Sequence, residues 1–204
     1  MALRWAEEIV RGWDVYRIPP AFVLGFHGCD REIGEAILGG QPMKSSENDY
    51  DWLGSGAYFW QNDPRRALRF AQERASGGKN SKGTIREPFV IGAILNLGFC
   101  LDLRDSQSLG EAKQAHDLLR QIQPDLPSNS ESLLLRRLDC AVLNYLHVVR
   151  ESRNLRPYDT VRANFWEGGA LYEGAGFRES DHVQICVRNP QTILGFFRPL
   201  ADAI

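Results

Sequence analysis

Leu53-Gly-Ser-Gly-Ala-Tyr-Phe-Trp60 is a short stretch in which two glycines bracket a serine and an aromatic run follows at once. Glycine admits backbone conformations that are closed to other residues, and it lets a ligand approach the chain closely. Aromatic rings directly after such a turn can form a stacking wall. The same pattern also fits a glycine turn that leads into a short buried strand. Its meaning therefore depends on what the rest of the chain supplies.

The composition is that of an ordinary globular protein. The chain has 204 residues, of which 43% are hydrophobic and 25% are charged, so we expect a single domain over residues 1–204 with a substantial core. No apolar run approaches the length of about 18 residues that a membrane span needs, and the N-terminus lacks the apolar core of a signal peptide. These features predict a cytoplasmic protein without a membrane-spanning helix.

The cysteines and histidines argue against a metal site. The four cysteines lie far apart and form no Cys-x-x-Cys pair, and the four histidines add no metal-ligand spacing. We therefore expect reduced, mostly buried thiols and no metal. The cysteines are Cys29, Cys100, Cys140 and Cys186, and the histidines are His27, His116, His147 and His182.

The charge pattern leaves two interpretations open. A net charge of −2 gives no global attraction to nucleic acid or membrane, but the chain has 20 arginines and only four lysines. Guanidinium groups suit planar contacts with phosphates and carboxylates. The bias is typical either of a compositional habit or of a local basic cleft. The arginines that could converge on such a cleft are Arg65, Arg66, Arg69, Arg74, Arg156 and Arg162.

Hydrophobic periodicity and end signals predict an α+β fold with an antiparallel-rich mixed β core and flanking helices. Asp30 and Asp63-Pro64 have the residue types of helix N-termini. Ser128-x-x-Glu131 resembles a capping box before an apolar helix. Asn189-Pro190 predicts a turn into a hairpin strand. The predicted helices cover 3–13, 30–38, 63–76, 107–122 and 131–150, the predicted strands cover 21–27, 89–97, 100–103, 182–187 and 192–197, and 41–56, 77–88 and 159–176 are predicted loops.

Several common sites are absent from the sequence. It contains no Gly-x-x-x-x-Gly-Lys-Ser/Thr phosphate loop, no Gly-x-Gly-x-x-Gly between a strand and a helix, and no Gly-x-Ser-x-Gly nucleophile elbow. Three features remain, and each lies on a strand or at its end. They are His27-Gly28, Gly56-Ala57-Tyr58-Phe59 and Gln184.

These three features resemble the motifs of the ADP-ribosyltransferases of the poly(ADP-ribose) polymerase type. His27-Gly28 with the following helix resembles the first motif, and Gly54-Ser55-Gly56-Ala57-Tyr58-Phe59 resembles the second, a Gly-x-Gly-x-Tyr-Phe stretch. The strand around Gln184 resembles the third motif in length and polarity. The motifs occur in the same order and span residues 21–200. The chain is also similar to bacterial single-domain members, some of which are associated with toxin–antitoxin or phage-defence systems.

The resemblance implies a fold with a split β core and NAD as the substrate cofactor. By the resemblance, His27 would bind a ribose hydroxyl and the Gly28 backbone would hold the nicotinamide amide. Tyr58 would stack on the nicotinamide ring, and Phe70 would close its other face. Cleavage of NAD develops positive charge on the ribose, as in glycoside hydrolysis, and rigid aromatic stacking can hold the twisted nicotinamide.

The third motif departs from the family, because Gln184 stands where the family usually has a glutamate. Glutamine keeps hydrogen bonding but loses the charge and the base, and a lost general base costs about a hundredfold to ten-thousandfold in rate. We therefore expect transfer of a single ADP-ribose to a macromolecule, protein or nucleic acid, with an antitoxin as a possible partner. An acid just upstream could assist, and the candidates are Glu173, Glu179 and Asp181.

Two other functions compete with this one. The chain could be a non-catalytic module that binds NAD or ADP-ribose and lost the chemistry with the glutamate. It could also be an NAD glycohydrolase that uses water as the acceptor. Release of nicotinamide distinguishes the binding module from both enzymes, and labelled ADP-ribose on a target distinguishes the transferase from the hydrolase.

Overall fold

The computed structural model describes residues 22–77 and 85–200. Within these ranges, seven strands and four α-helices form a mixed α and β fold. The helix predicted over 3–13 lies outside the described residues. The elements are β1 (Val23–Asp30), α1 (Arg31–Leu38), β2 (Ala57–Gln61), α2 (Pro64–Ala75), β3 (Pro88–Leu95), β4 (Cys100–Asp102), α3 (Ser106–Ile122), α4 (Arg137–Ser152), β5 (Thr160–Phe165), β6 (His182–Val187), a 3₁₀ turn (Pro190–Thr192) and β7 (Ile193–Phe197).

The strands form one sheet in the order β4-β5-β6-β2-β1-β3-β7. All neighbouring strands are antiparallel except β4 and β5, which are parallel. The mixed, mostly antiparallel sheet with flanking helices is therefore confirmed. One junction is thin, because only two residue pairs, Gly25 with Gln61 and Phe26 with Trp60, join β1 to β2. We call this junction the seam.

The two faces of the sheet are covered by different elements. Helices α3 and α4 pack over β4, β5 and β6 around a large apolar cluster that includes Leu101, Val161 and Cys186. Helix α2 packs on the same face over β1 and β3, with Ala67 and Ala71 fully buried. Helix α1 covers the opposite face, where Cys29 lies in an apolar cluster. The face that carries α2, α3 and α4 is the one toward which Tyr58, Trp60 and Gln184 point, and it is called the α2 face below.

Local end signals are confirmed where the capping residue adjoins its helix. The Asp30 side chain accepts a hydrogen bond from the Glu32 amide at the start of α1. The Asp63 side chain accepts from the Arg66 amide at the start of α2, with Pro64 at the first helical position. A side-chain oxygen at this position satisfies an amide that has no partner inside the helix.

The predicted capping box before α4 is wrong. The helix begins at Arg137, and its cap residue Arg136 makes no side-chain capping bond. Instead, the Asn129 side-chain oxygen accepts from the amides of Leu138 (2.9 Å) and Asp139 (3.3 Å). A residue eight positions before the helix therefore does what the capping box was expected to do, and the intervening chain loops away.

Two predictions about strands are also wrong. The predicted loop 159–176 contains β5, a strand with four buried residues, Thr160, Val161, Ala163 and Phe165. The strand at Ile193–Phe197 exists, but it pairs with β3 at the far end of the sheet and forms no hairpin with β6. Turn chemistry at Asn189-Pro190 fixes a change of direction there and does not fix which strand comes next to β7.

Candidate functional site

The glycine turn before β2 is shaped by backbone conformation and by space. Gly54 has a φ of +78°, in the left-handed region that glycine adopts without strain. A Cβ on Gly56 would lie 2.5 Å from the Cys186 sulfur, so β6 approaches too closely for any side chain there. The backbone conformation of Gly54 and the lack of space at Gly56 explain why both positions of the motif are glycine.

Tyr58 holds this turn from within. Its hydroxyl accepts a hydrogen bond from the Leu53 amide (2.9 Å) and donates to the Gly54 carbonyl (2.5 Å). Burial raises the pKa of the Tyr58 phenol well above its usual value, so the ring is neutral. The phenol end is therefore fixed, and the half-buried ring is a rigid surface on the α2 face.

The ladder between β1 and β2 ends with the seam, and Gly28 lies two residues beyond its last pair on β1. The Arg31 amide donates to the carbonyl of Glu87, just before β3, and the Asn62 amide, just after β2, donates to the carbonyl of Leu24. Because backbone groups in an antiparallel ladder alternate between the two neighbours, the Gly28 N–H and C=O point toward β2. The ladder contains no pair between Gly28 and Tyr58. We call this opening the β1–β2 gap.

His27 spans the β1–β2 gap. Its Nδ1 lies 2.8 Å from the Tyr58 carbonyl oxygen, which can only accept, so Nδ1 carries the proton. Burial lowers the pKa of His27, which keeps the imidazole neutral and leaves Nε2 with an acceptor lone pair. The ring leaves β1 on the face opposite Gly28, with its centroid 6.0 Å from that of Phe59. The gap therefore offers an amide donor on one side and a ring acceptor on the other.

Helix α2 closes the gap from the α2 face. A Cβ on Gly28 would lie 2.1 Å from the Ala67 carbonyl oxygen and 3.4 Å from the Ala71 Cβ. Only glycine lets the helix come this close to β1. The small residues at 67 and 71 serve the same approach from the helix side, and both are fully buried.

Gln184 lies on the α2 face, the same face of β6 as Cys186. It pairs with Trp60 across β2 and β6, and the neighbouring pair is Tyr58 with Cys186. Gln184 is thus the diagonal neighbour of Tyr58, a spacing of about 7–8 Å in antiparallel sheets. The residue is 8% exposed, and its amide atoms are not among the fully buried side-chain atoms that lack a partner in the described ranges. The amide can therefore be reached and hydrogen-bonded by a ligand.

Phe70 takes a position that differs from the expected one. Its ring packs against Trp60, with centroids 5.0 Å apart, and Arg74 lies over its other side. Among the ring contacts of the described residues, none joins Phe70 to Tyr58. The aromatic wall beside Gln184 is therefore built by Trp60, the last residue of the aromatic run after the glycine turn, together with Phe70.

A buried polar cluster lies next to Gln184 that the sequence analysis missed. The Arg66 guanidinium donates to the Glu167 carboxylate at 2.7 Å and lies 5.4 Å from the Trp60 ring. His182 lies two positions before Gln184 on the same face of β6. Its Nδ1 is 3.5 Å from the Glu167 oxygen that Arg66 binds. Burial lowers the pKa of His182. The 101 positions between Arg66 and Glu167 explain why no sequence pattern announces the pair.

The acids proposed to assist Gln184 make their hydrogen bonds within the segment 166–181. Glu173 and Glu179 are exposed, and Glu179 accepts only a long bond from the Gly169 amide at 3.4 Å. Asp181 accepts from the Arg178 amide at 2.9 Å, within its own loop. Glu167 is the carboxylate that reaches the residues around Gln184.

The arginines converge only in part. Arg66 and Arg69, on α2, both bind the segment 166–181 between β5 and β6, Arg69 by donating to the Ser180 hydroxyl at 3.0 Å. Arg156 pairs instead with Asp159, and Arg162 lies 3.8 Å from Asp102, both away from the β1–β2 gap. The basic cleft is therefore limited to α2.

A separate cavity of about 430 Å³ opens at the end of the glycine turn. It contains none of His27, Tyr58 and Gln184. We place the candidate site at the gap because the ladder between β1 and β2 stops there, next to His27 and Tyr58. The residues that line the cavity include Ser45, Glu47, Ser55, His147, Arg188 and Asn189.

Residues 22–77 and 85–200 contain neither a group of metal ligands nor a membrane-spanning helix. No group of three or more His, Cys, Asp or Glu side chains is placed to hold a metal ion. No helix in this part of the chain is long and apolar enough to cross a membrane.

The fold and site define the chain as a mixed α and β protein with a mostly antiparallel seven-stranded sheet and a polar gap beside its centre. Among known proteins it is similar to an uncharacterized protein of the archaeon Methanocaldococcus jannaschii, with 26% identity over 187 residues, covering 82% of this chain and 83% of that protein. The comparison with protein-family models gives no match, and neither does the comparison with solved structures.

Proposed function

We propose that this protein is an NAD-dependent mono-ADP-ribosyltransferase. It cleaves nicotinamide from NAD and transfers one ADP-ribose to a macromolecular acceptor. The observation that carries the proposal is the β1–β2 gap, where Gly28 has no ladder pair on β2 and His27 binds the Tyr58 carbonyl. The two-pair seam supports the further proposal that this sheet is the split sheet of ADP-ribosyltransferases.

The gap suits a nicotinamide group. A primary amide needs one acceptor and one donor, and the Gly28 C=O and N–H both point into the gap. The rigid Tyr58 ring lies next to this position on β2 and offers a stacking surface. The neutral Nε2 of His27 can accept a hydrogen bond from a ribose hydroxyl, which a protonated histidine could not do.

Gln184 sets the kind of reaction. Its amide can hydrogen-bond a ribose hydroxyl diagonally across from Tyr58, but it carries no charge to oppose the developing cation. It also cannot take a proton from an acceptor. The acceptor therefore supplies its own nucleophile and base, which favours single transfer over chain elongation.

A nicotinamide-release assay with purified protein and NAD tests the proposal. Release is expected from the wild type and is expected to fall at least about a hundredfold in His27→Ala and Tyr58→Ala, since each removes a positioning contact. His116→Ala and Tyr172→Ala, at more exposed positions, are the matched controls and should keep the wild-type rate. Equal rates in all four variants would show that the site assignment is wrong.

The product distinguishes the alternatives. Incubation with labelled NAD and a cell lysate, followed by separation of protein from nucleic acid, should place the label on one of the two fractions. Free ADP-ribose without a labelled target would indicate an NAD glycohydrolase. Binding of NAD without release of nicotinamide would indicate a non-catalytic module.

A further inference from the structure

The segment 166–181, which we call the β5–β6 loop, covers a set of buried donors that have no partners. Trp60 Nε1 and both Arg66 Nε and Nη1 are inaccessible to water and make no hydrogen bond. An indole N–H and a guanidinium can only donate. Burying a donor without a partner is unfavourable, so the closed position of the loop is destabilised at this point.

Glu167 from the β5–β6 loop occupies one side of this donor set. Its carboxylate binds Arg66 Nη2 at 2.7 Å, and both side chains are largely buried, with 11% and 15% of their surface exposed. The remaining guanidinium donors and the indole N–H lie beside it without an acceptor. The Glu167 carboxylate therefore satisfies one donor of this set. The other donors can bind an anion that has more oxygens than a carboxylate.

Few polar contacts hold the loop over the donors. Besides the ion pair of Arg66 with Glu167, Arg69 donates to the Ser180 hydroxyl at 3.0 Å, and His182 Nδ1 lies 2.9 Å from the Ser180 carbonyl oxygen and 3.5 Å from the Glu167 carboxylate. The middle of the loop is exposed, and Gly168 and Gly174 have positive φ values of +84° and +76°. Loss of the ion pair would free the loop at its β5 end and expose the donors.

We propose that Trp60 Nε1 and the Arg66 guanidinium form a phosphoryl-binding subsite that the Glu167 carboxylate blocks in the closed loop. A phosphoryl group presents several anionic oxygens to a planar guanidinium, which is the geometry that arginine recognises best. Its binding displaces Glu167 and opens the β5–β6 loop beside Gln184. The subsite rests on these contacts and goes beyond the transferase proposal, because it requires no cleavage of NAD.

Calorimetric titration of the full chain with inorganic pyrophosphate tests the subsite. Glu167→Gln removes the competing charge and is expected to tighten binding by about tenfold or more, the equivalent of about 1.4 kcal/mol. Trp60→Phe and Arg66→Gln are expected to weaken binding at least about threefold, as each removes donors. Glu173→Gln, on the same loop, and Arg65→Gln, on the exposed face of α2, should bind as the wild type does.

Two further arms separate the sources of the phosphoryl group and guard against misfolding. ADP should follow the same order of variants as pyrophosphate, and nicotinamide riboside, which has no phosphate, should not respond to Glu167→Gln. Thermal unfolding identifies any variant that fails to fold, and Arg66→Lys, which keeps the charge, should bind between the wild type and Arg66→Gln.

The proposal is overturned if Glu167→Gln binds pyrophosphate no more tightly than the wild type, or if Arg65→Gln loses as much affinity as Arg66→Gln. This outcome is separate from that of the transferase proposal. Nicotinamide release can fail while pyrophosphate binding follows the predicted order, and the reverse result is equally readable.

Discussion

The two edges of β2 differ although they belong to one strand of five residues. On the β6 side, four consecutive pairs run from Ala57 to Trp60. On the β1 side, pairing stops after the two pairs of the seam. The closed edge is held by the ladder and by fully buried side chains such as Ile185. The open edge presents backbone groups and His27, so a ligand that reaches the sheet has one edge of β2 at which to bind.

The open edge depends on Gly28, and a side chain there should damage it most. Gly28→Ala places a Cβ 2.1 Å from the Ala67 carbonyl oxygen, so α2 must move away from β1. Such overpacking is expected to cost about 3 kcal/mol or more of the free energy of unfolding and to abolish nicotinamide release. Gly195→Ala, on β7 with no neighbour within 4 Å, is the control and should change stability little. Chemical denaturation measures both.

Low pH should reduce the free energy of unfolding through two buried histidines, His147 and His27. Burial lowers the pKa of His147 in α4 from 6.5 to about 4, and it lowers the pKa of His27 in the same direction. The unfolded chain then binds more protons between these pH values, so the stability is present above pH 6.5 and is lost as the pH falls toward 4. For His147 this amounts to about 3 kcal/mol.

The two histidines can be separated by ligand binding. His147→Gln should flatten the fall of unfolding free energy between pH 6.5 and 4 and leave NAD affinity unchanged. His27→Gln should reduce NAD affinity at pH 7 because the open edge loses its ring acceptor. An unaltered pH profile in His147→Gln would contradict the burial argument, and an unaltered affinity in His27→Gln would place the ligand elsewhere.

Tyr58→Phe separates the two functions of one ring. The phenol hydroxyl closes the glycine turn through Leu53 and Gly54, while the ring face is the proposed stacking surface. Loss of the hydroxyl should cost about 1–2 kcal/mol of stability, since it leaves a buried backbone amide without a partner. Nicotinamide release should stay within a few-fold of the wild type. A collapse of release at normal stability would mean that the hydroxyl itself acts in the reaction.

The smallest loss of stability is expected at the start of α4, on the β6 side of the sheet. Asn129→Ala removes the oxygen that caps α4 and should cost about 1 kcal/mol, whereas Ser128→Ala should cost nothing measurable. Neither substitution touches the β1–β2 gap, so NAD affinity should be the same in both. Equal losses of stability in the two variants would contradict this and would indicate that Ser128 also caps the helix, as the sequence predicted.

The sequence was informative where the relevant contact is local. Asp30 and Asp63 cap helices that start at the next residue. Each depends on neighbours within a few positions, which a single sequence displays. The strand predicted over 21–27 continues to Asp30, so His27 and Gly28 lie inside β1 and not at its end. Their position beside Tyr58 followed from motif order and a family resemblance, and periodicity alone would not have paired them.

The sequence was uninformative where partners are distant. β5 was missed because Thr160 to Phe165 becomes a strand only by pairing with β4 and β6. β7 was given the wrong neighbour because proximity in sequence favours a hairpin. Arg66 and Glu167 were not connected because no pattern links positions so far apart. In each case the free energy comes from tertiary contacts that outweigh local preference.

The seam also has a consequence for how the chain folds. One side of it contains β1, β3 and β7, and the other contains β2, β4, β5 and β6, so the chain crosses the seam four times. Neither side is a continuous segment, and no single cut of the polypeptide releases one of them intact. Most strand pairings must therefore wait for distant residues, which predicts slow folding for a protein of this size. The two sides of the seam share only two residue pairs, but the chain connects them repeatedly. They must therefore fold as one cooperative unit.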